Sequence, residues 1–440
     1  MKRVNLMVAS TVGTTLEWYD FFVFAACSVL VFNTKFFAAA DPFVATLLSL
    51  GTFSVGFLAR PIGGILFGIA GDRLGRKKML VVSLLMMGLG TFAIGLLPTY
   101  EAIGIYAPLS LVLLRIVQGI AVGGEATGAI LIIAESMPAA QRGFWTSFTM
   151  FAGPLANVLT AIVISVVQAI YGAAAFVDWA WRIPFFVSAV LVVVGFWTRR
   201  RVEESPAFLA YAAKSREVER APLRQAFANN RVEMMQAFFL KAAENTFLYI
   251  FSTFVLLLAT SFLKLPRQQA FSALLWGSAF EVLVTIAAAY VSDRIGRRPV
   301  LLAGLVAAIV ASYGLFTLAP GASYAQLQLA VLACLACHGI ILGGMAAYMA
   351  ELFPTKVRYT ALSTSYQLAS VFGGSIAPLV GAVLLHATGA SVSVALYATA
   401  VAVPALISVY RSRESRGIDF FGAEPAEVGV SAAGGRRAAF

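Results

Sequence analysis

Apolar runs of about 18–25 residues recur along the whole chain, separated by short clusters of turn-forming and charged residues. Neither the alternation of a half-buried strand nor the narrow apolar stripe of a soluble helix describes them. They are the length a helix needs to cross about 30 Å of hydrocarbon. The breaks divide the chain into twelve expected spans, at 8–31, 44–70, 79–97, 104–133, 143–168, 182–200, 233–260, 270–291, 299–318, 326–350, 360–385 and 390–410. The longest polar stretch, 199–232, separates six spans from six. The expected organisation is an N-terminal bundle over 1–200, a central loop over 201–232, a C-terminal bundle over 233–411 and a tail over 412–440.

The two halves repeat. GDRLGRKKML at 71–80 is echoed by SDRIGRRPVL at 292–301, GIAVGG at 119–124 by GIILGG at 339–344, and AESMPAAQR at 134–142 by AELFPTKVR at 350–358. Three matches in the same order and at nearly the same offset point to duplication. Two parallel six-helix halves are a known transporter plan, with the substrate near the midplane between them. The fold class is therefore an all-α membrane protein of twelve transmembrane helices in two pseudo-symmetric bundles.

Composition agrees: of 440 residues, 60% are hydrophobic and 12% charged, against about a quarter charged in a soluble domain. The net charge of +11 raises the question of nucleic acid, and the placement of the charges answers it. Twenty-five Lys and Arg lie on the side of the N-terminus, four on the opposite side, and Arg60, Arg115 and Lys241 within spans. The positive-inside rule then puts both termini in the cytoplasm and leaves no need for a nucleic-acid partner. The N-terminus runs straight into the first span and reads as an uncleaved first helix. Cys334 and Cys337 have a CxxC spacing, but only His338 is near enough to help hold a metal, so all three cysteines, with Cys27, read as small apolar residues. There is no GxxxxGK[ST], HExxH or GxSxG. ATP-driven transport and enzymatic catalysis are not expected, nor is any metal or cofactor. The glycine runs GGIxxG, VGG and FGG read as close helix packing.

These residues carry a resemblance. The loop motif GxxxDRxGRK is met by Gly68, Asp72, Arg73, Gly75, Arg76 and Lys77, its reduced copy by Asp293, Arg294, Gly296, Arg297 and Arg298, and RxxQG by Arg115, Gln118 and Gly119. In these the chain resembles the major facilitator superfamily. EWYDF (17–21), RPIGGILFGIAGDRLGRK (60–77), RIVQGIAVGGE (115–125), WRIPF (181–185) and EESPAF (203–208) are similar to its metabolite:proton symporter group, which includes shikimate, α-ketoglutarate, citrate and proline/betaine carriers. The resemblance implies that helices 1, 4, 7 and 10 line a central cavity and that the two loop motifs gate it. Asp72 would pair across the half interface and steady the outward-facing state. A monomer driven by the proton gradient, in the cytoplasmic membrane, is what such a family implies.

Ionisable groups inside a membrane usually face a cavity, pair with one another or relay protons. Glu17, Asp20, Arg115, Gln118, Lys241, Glu244, Asn245, Tyr249 and His338 all fall on the four cavity helices. Aligning the halves sets Arg115 against Leu335, Glu125 against Met345, Gln118 against His338, Arg60 against Glu281, Glu17 against Glu244 and Asp20 against Phe247. Asp20, Arg115 and Glu125 are thus one-sided charges, suited to chemistry rather than scaffold. A buried carboxylate beside a cation takes up or releases a proton as its surroundings change. Asp20, Glu17, Glu125 and Glu244 are the candidate proton carriers. Arg115, Gln118, Lys241, Asn245, Tyr249 and His338 are the candidate substrate contacts, Arg115 foremost because a guanidinium grips a carboxylate through two bonds. The alternative for Asp20 is a structural ion pair with Arg115, and for Lys241 a snorkelling position at the interface. Arg60 and Glu281 are expected to form a salt link near the half interface. His386 has no expected role.

The expected function is proton-coupled import of a small organic anion by alternating access. Symport of a zwitterionic osmolyte or amino acid remains open, although the tail after 412 lacks the coiled-coil heptads of the osmosensing carriers. A non-transporting receptor on the same fold also remains open.

Overall fold

The computed structural model describes residues 2–64, 66–67, 76–123, 126–200, 229–354, 357–418 and 420. Gly68, Asp72, Arg73, Gly75 and Glu125 lie outside the described residues, as does nearly all of the central loop.

Among the described residues, ten helices are long and apolar enough to cross a membrane. They are α1 (Ser10–Lys35), α2 (Pro42–Gly64), α4 (Tyr106–Ser136), α5 (Ala139–Tyr171), α7 (Arg231–Phe262), α8 (Arg267–Ile295), α9 (Arg297–Phe316), α10 (Tyr324–Glu351), α11 (Thr360–Thr388) and α12 (Val392–Arg411). Two more fill the remaining places. Helix α3 (Arg76–Leu96) carries a shorter apolar stretch, Val82–Leu96. Helix α6 (Arg182–Arg200) follows a preceding turn, Ala173–Ala180, that is bent 66° from it. No strand occurs among the described residues. The all-α, twelve-helix plan is what the apolar runs dictate.

Local chemistry sets the ends. Asp41 caps α2 by accepting from the Phe43 and Val44 N–H groups, with Pro42 at the first helical position. Ser323 and Gln326 form a reciprocal capping box at the start of α10. Gly296, at φ 109°, makes the turn between α8 and α9 that a side chain would strain. The first and seventh helices, partners in the repeat, each contain a π-helical turn, at Ser28–Phe32 and Ile250–Phe254. Such turns open the regular backbone ladder and recur at functional sites.

Within each half the glycine runs bring helices into near contact, as their spacing implies. A Cβ on Gly123 of α4 would lie 2.7 Å from the Gly64 backbone nitrogen of α2. A Cβ on Gly343 of α10 would lie 2.6 Å from the Ala289 nitrogen and 2.7 Å from the Ala288 Cβ of α8. Gly343→Val is therefore expected to lower stability by about 1–3 kcal/mol through overpacking. Gly314→Val, where nothing lies within 4 Å, is the control. Thermal unfolding of the two variants in detergent checks this, and equal melting would refute it.

The halves meet along α5 against α8 and α2 against α11.

Candidate functional site

In the N-terminal half, α1 presents Asp20, Phe21 and Phe24, α2 presents Phe53, Phe57 and Arg60, α3 presents Thr91, and α4 presents Arg115 and Gln118. Arg115 is fully buried and Arg60 is 3% exposed. The Arg115 guanidinium carbon sits 4.2 Å from the Phe21 and Phe24 ring centres, and that of Arg60 lies 4.4 Å from Phe21 and 4.2 Å from Phe57. Desolvated contacts of this kind are worth about 2 kcal/mol or more. Arg115 Nη1 donates to Gln118 Oε1 at 3.1 Å, and Gln118 Nε2 donates to the Thr91 hydroxyl at 2.6 Å. Asp20 is buried next to Thr91, and no ion pair joins it to Arg115. Arg115 Nε and Nη2 and Arg60 Nε are buried without a hydrogen-bond acceptor. Glu17 is also buried and takes part in the interactions of this region.

In the C-terminal half a second cluster runs across three helices. Lys241 Nζ lies 2.5 Å from Glu244 Oε2 on α7. Glu244 Oε1 lies 3.6 Å from His338 Nε2 on α10. His338 Nδ1 hydrogen-bonds Glu281 Oε1 on α8. None of the four is more than 2% exposed. Lys241 also sits 4.3 Å above the Tyr366 ring of α11. Lys241 thus does not snorkel to the interface, because Glu244 and Tyr366 hold its ammonium inside the bundle.

The expected salt link between Arg60 and Glu281 does not form. Glu281 is taken by His338, and Arg60 is enclosed by Phe21 and Phe57. Repeat-equivalent positions need not meet, since His338 already takes Glu281 and aromatic rings enclose Arg60, each within its own half.

A cavity of about 30 Å³ lies between the halves, enough for about two waters. Thr14, Trp18 and Met150 line it from one half, and Lys241, Glu244, His338 and Tyr366 from the other. Farther along α1, α5 and α7 is a smaller cavity of about 10 Å³, walled in part by Asn157, Thr160, Ser252 and Thr253. The two lie in line along the seam. Of the other candidates, Asn245 donates to Ser370 Oγ of α11 at 3.1 Å. Tyr249 packs its ring on Phe53 and Phe57 across the seam, with its hydroxyl buried and without a partner.

Contacts cross the seam at both ends. At the charge-rich end, Arg142 of α5 reaches Glu351 of α10 at 2.8 Å, and Arg358 reaches Glu135 of α4 at 3.1 Å. Asp293 accepts from the Gly143 and Phe144 N–H groups at 2.9 and 2.7 Å, and pairs with Arg297 at 2.6 Å. Arg297 also reaches Glu351 at 3.4 Å. The chain after α12 covers this latch: Glu414 accepts from the Arg297 and Arg298 N–H groups, Ser415 donates to Glu351, and the Phe420 ring lies 3.6 Å from both the Arg142 and Arg358 guanidinium carbons. The Arg294 side chain is exposed against Tyr290, and its carbonyl accepts from Arg416 of the covering segment. The Arg76 backbone opens α3. At the far end His386 stacks on Phe43 at 3.6 Å, joining α11 to α2.

Residue-by-residue reading of the sequence missed Thr91, Trp18, Tyr366 and the latch pairs. For the latch the signal was present. Glu135 and Arg142 occupy the same places in AESMPAAQR as Glu351 and Arg358 in AELFPTKVR. A two-fold relation makes residue i meet j while j's counterpart meets i's, which is the crossed pairing observed.

A family model described as "Sugar (and other) transporter" matches residues 5–237 and 268–426. The inner membrane metabolite transport protein YhjE of Escherichia coli is 37% identical over 94% of this chain and 95% of its own length. The Escherichia coli shikimate transporter is 34% identical over 89% and 90%, and the Escherichia coli proline/betaine transporter 32% identical over 98% and 88%. Among solved structures, the proton:xylose symporter XylE superposes with a TM-score of 0.76 at 18% identity, covering 94% of this chain and 97% of that one. That likeness is one of fold.

Proposed function

The chain belongs to the sugar (and other) transporter family of the major facilitator superfamily, and from that premise we propose that it moves a small organic anion together with protons across the inner membrane. The observation that carries this reading is the set of buried, unspent donors on Arg115 and Arg60 inside the bundle, together with the Lys241 ammonium on the wall of the cavity between the halves. Cations inside a bilayer are costly, and acceptor groups on an anionic substrate would satisfy them. The carboxylates Asp20, Glu17 and Glu244 supply places for the coupled proton, with Glu125 as a further candidate from sequence.

The cavity is too small for a metabolite, so the closed conformation alternates with open ones. The crossed latch pairs then set the balance between states, since any ligand shifts it only by its differential affinity. Both termini are assigned to the cytoplasm on the charge asymmetry, which makes the latch the cytoplasmic gate. Arg297 and Asp293 act in it directly, Gly296 through the turn it permits, and the loop containing Gly68, Asp72, Arg73, Gly75 and Arg76 is assigned the corresponding role in the other half.

A zwitterionic substrate is the second reading. Trp18 and Tyr366 line the same cavity as Lys241 and Glu244, so an acid, a base and two aromatic faces converge there. Aromatic faces suit a quaternary ammonium, and the proline/betaine transporter is a relative over 98% of this chain and 88% of its own length.

The test is uptake into proteoliposomes with an internal pH dye, offering shikimate, α-ketoglutarate, citrate, proline and betaine under an inward proton gradient. Acidification with a carboxylate only, lost in Asp20→Asn, is the expected result. Acidification with betaine or proline alone would select the second reading, and binding without flux would indicate a receptor.

A further inference from the structure

We propose that Glu281, His338 and Glu244 form a proton relay that delivers the coupled proton to the substrate cavity and frees Lys241 to hold the substrate carboxylate. The proposal rests on the symport reading above and assigns a role to Glu281.

The argument starts from charge. The cluster contains two carboxylates, one lysine and one imidazole, all buried. Without an added proton it carries one net negative charge, which a low-dielectric interior penalises strongly. One mobile proton makes it neutral, and three groups in a row can hold it. A purely structural pairing of α7 with α10 would need Glu244 and His338 only. Glu281 stands behind the imidazole, away from the cavity lining, on the third helix.

The imidazole has the connectivity a relay requires. Nδ1 is bonded to Glu281, and Nε2 faces Glu244 Oε1 with no hydrogen bond of its own. A proton moves from Glu281 Oε1 to Nδ1 as the Nε2 proton moves to Glu244 Oε1. The imidazole gains one proton and loses one. Glu281 becomes a carboxylate and Glu244 a carboxylic acid, which no longer competes as an anion for the Lys241 ammonium. A substrate carboxylate then takes that place, so proton and anion binding favour one another reciprocally.

The 3.6 Å separation of Nε2 and Oε1 exceeds hydrogen-bond range. In the closed conformation this link is open, and a shift of α7 against α10 closes it. Proton transfer is thereby tied to the conformational cycle. The groups facing the imidazole are Glu281 from α8, Glu244 and Lys241 from α7, and Tyr366 from α11 and Trp18 from α1 around the cavity. Of the two histidines in the chain, the other stacks on Phe43 at the far end of the seam.

The test uses the full-length protein in proteoliposomes, with two readouts. In pH-titrated infrared difference spectra, a protonated-carboxyl band shared by the cluster should be altered by Glu281→Gln and by Glu244→Gln alike, and its titration should shift in His338→Gln. In transport, with whichever compound of the panel the wild type accumulates, Glu281→Gln should lower gradient-driven accumulation at least about fivefold. Glu281→Asp keeps the charge and should retain coupling at a reduced rate, which separates lost relay from lost folding. An unchanged proton-to-substrate ratio in both Glu281→Gln and His338→Gln overturns the relay and leaves symport standing. Wild-type flux without acidification overturns symport itself, and the relay with it.

Discussion

Lys241→Met is expected to abolish accumulation of the substrate and to destabilise the protein by about 3–5 kcal/mol. Lys241 and Glu244 are each 2% exposed and 2.5 Å apart. Removing the ammonium leaves a carboxylate uncompensated in the bundle interior, and that is where the cost arises. The double variant Lys241→Met/Glu244→Gln removes both charges and is expected to recover most of the stability, as replacement of whole buried pairs often does. It should not recover uptake, because the cavity then lacks its cation. Thermal unfolding in detergent and uptake in proteoliposomes separate the two effects. A single variant as stable as the wild type would show that Glu244 finds another partner. A double variant that accumulates substrate would remove Lys241 from the substrate site.

The second large effect is expected at Glu351. This one carboxylate accepts from Arg142 at 2.8 Å, from Ser415 at 2.8 Å and from Arg297 at 3.4 Å. It therefore ties α5 of one half to α9, α10 and the segment after α12 of the other. Glu351→Gln leaves the buried Arg142 guanidinium without its anion and Arg297 with Asp293 alone, a loss of about 3 kcal/mol or more. If the latch exists only in the conformation closed at this end, the balance shifts toward opening by about 100-fold. Phe420→Ala removes a ring stacked on both Arg142 and Arg358 and should act in the same direction with a smaller effect, about 0.5–2 kcal/mol. Hydrogen–deuterium exchange reports it: amides of 142–150 and 349–354 should exchange faster, while those of 43–50 at the opposite end should not. Unchanged exchange in Glu351→Gln would mean that the latch pairs fasten no particular state.

The long apolar runs, the internal repeat and the asymmetric placement of charge were enough to read the helical plan, and the comparisons bear out the family that the loop motifs suggested. The physical reason is that a bilayer imposes length and hydrophobicity on each span independently, so each leaves a local mark. The glycine runs were legible for a related reason, since close helix approach demands a missing side chain at a fixed spacing. The charged residues within spans were legible as a set, because each is too costly to occur without a partner or a cavity.

Their partners were not. Arg60 was matched with Glu281 on repeat equivalence, yet aromatic rings enclose the first and His338 takes the second. The repeat predicts which positions correspond, but a group already paired or enclosed within its own half has no need to reach across. Where the two-fold relation does act across the seam, as in Glu135–Arg358 and Arg142–Glu351, the pairing follows from the motif copies and could have been read from them.

The sequence by itself determined the class of molecule, its twelve-helix duplicated plan and the roll of ionisable residues inside the membrane, because each of these is written in composition, period or local motif. Only the tertiary structure decided that Lys241 turns inward, that Glu281, His338, Glu244 and Lys241 stand in one line across three helices, and that the segment after α12 lies over the latch. Those facts depend on which helix faces meet, and contacts between residues far apart in the chain leave no periodicity along it.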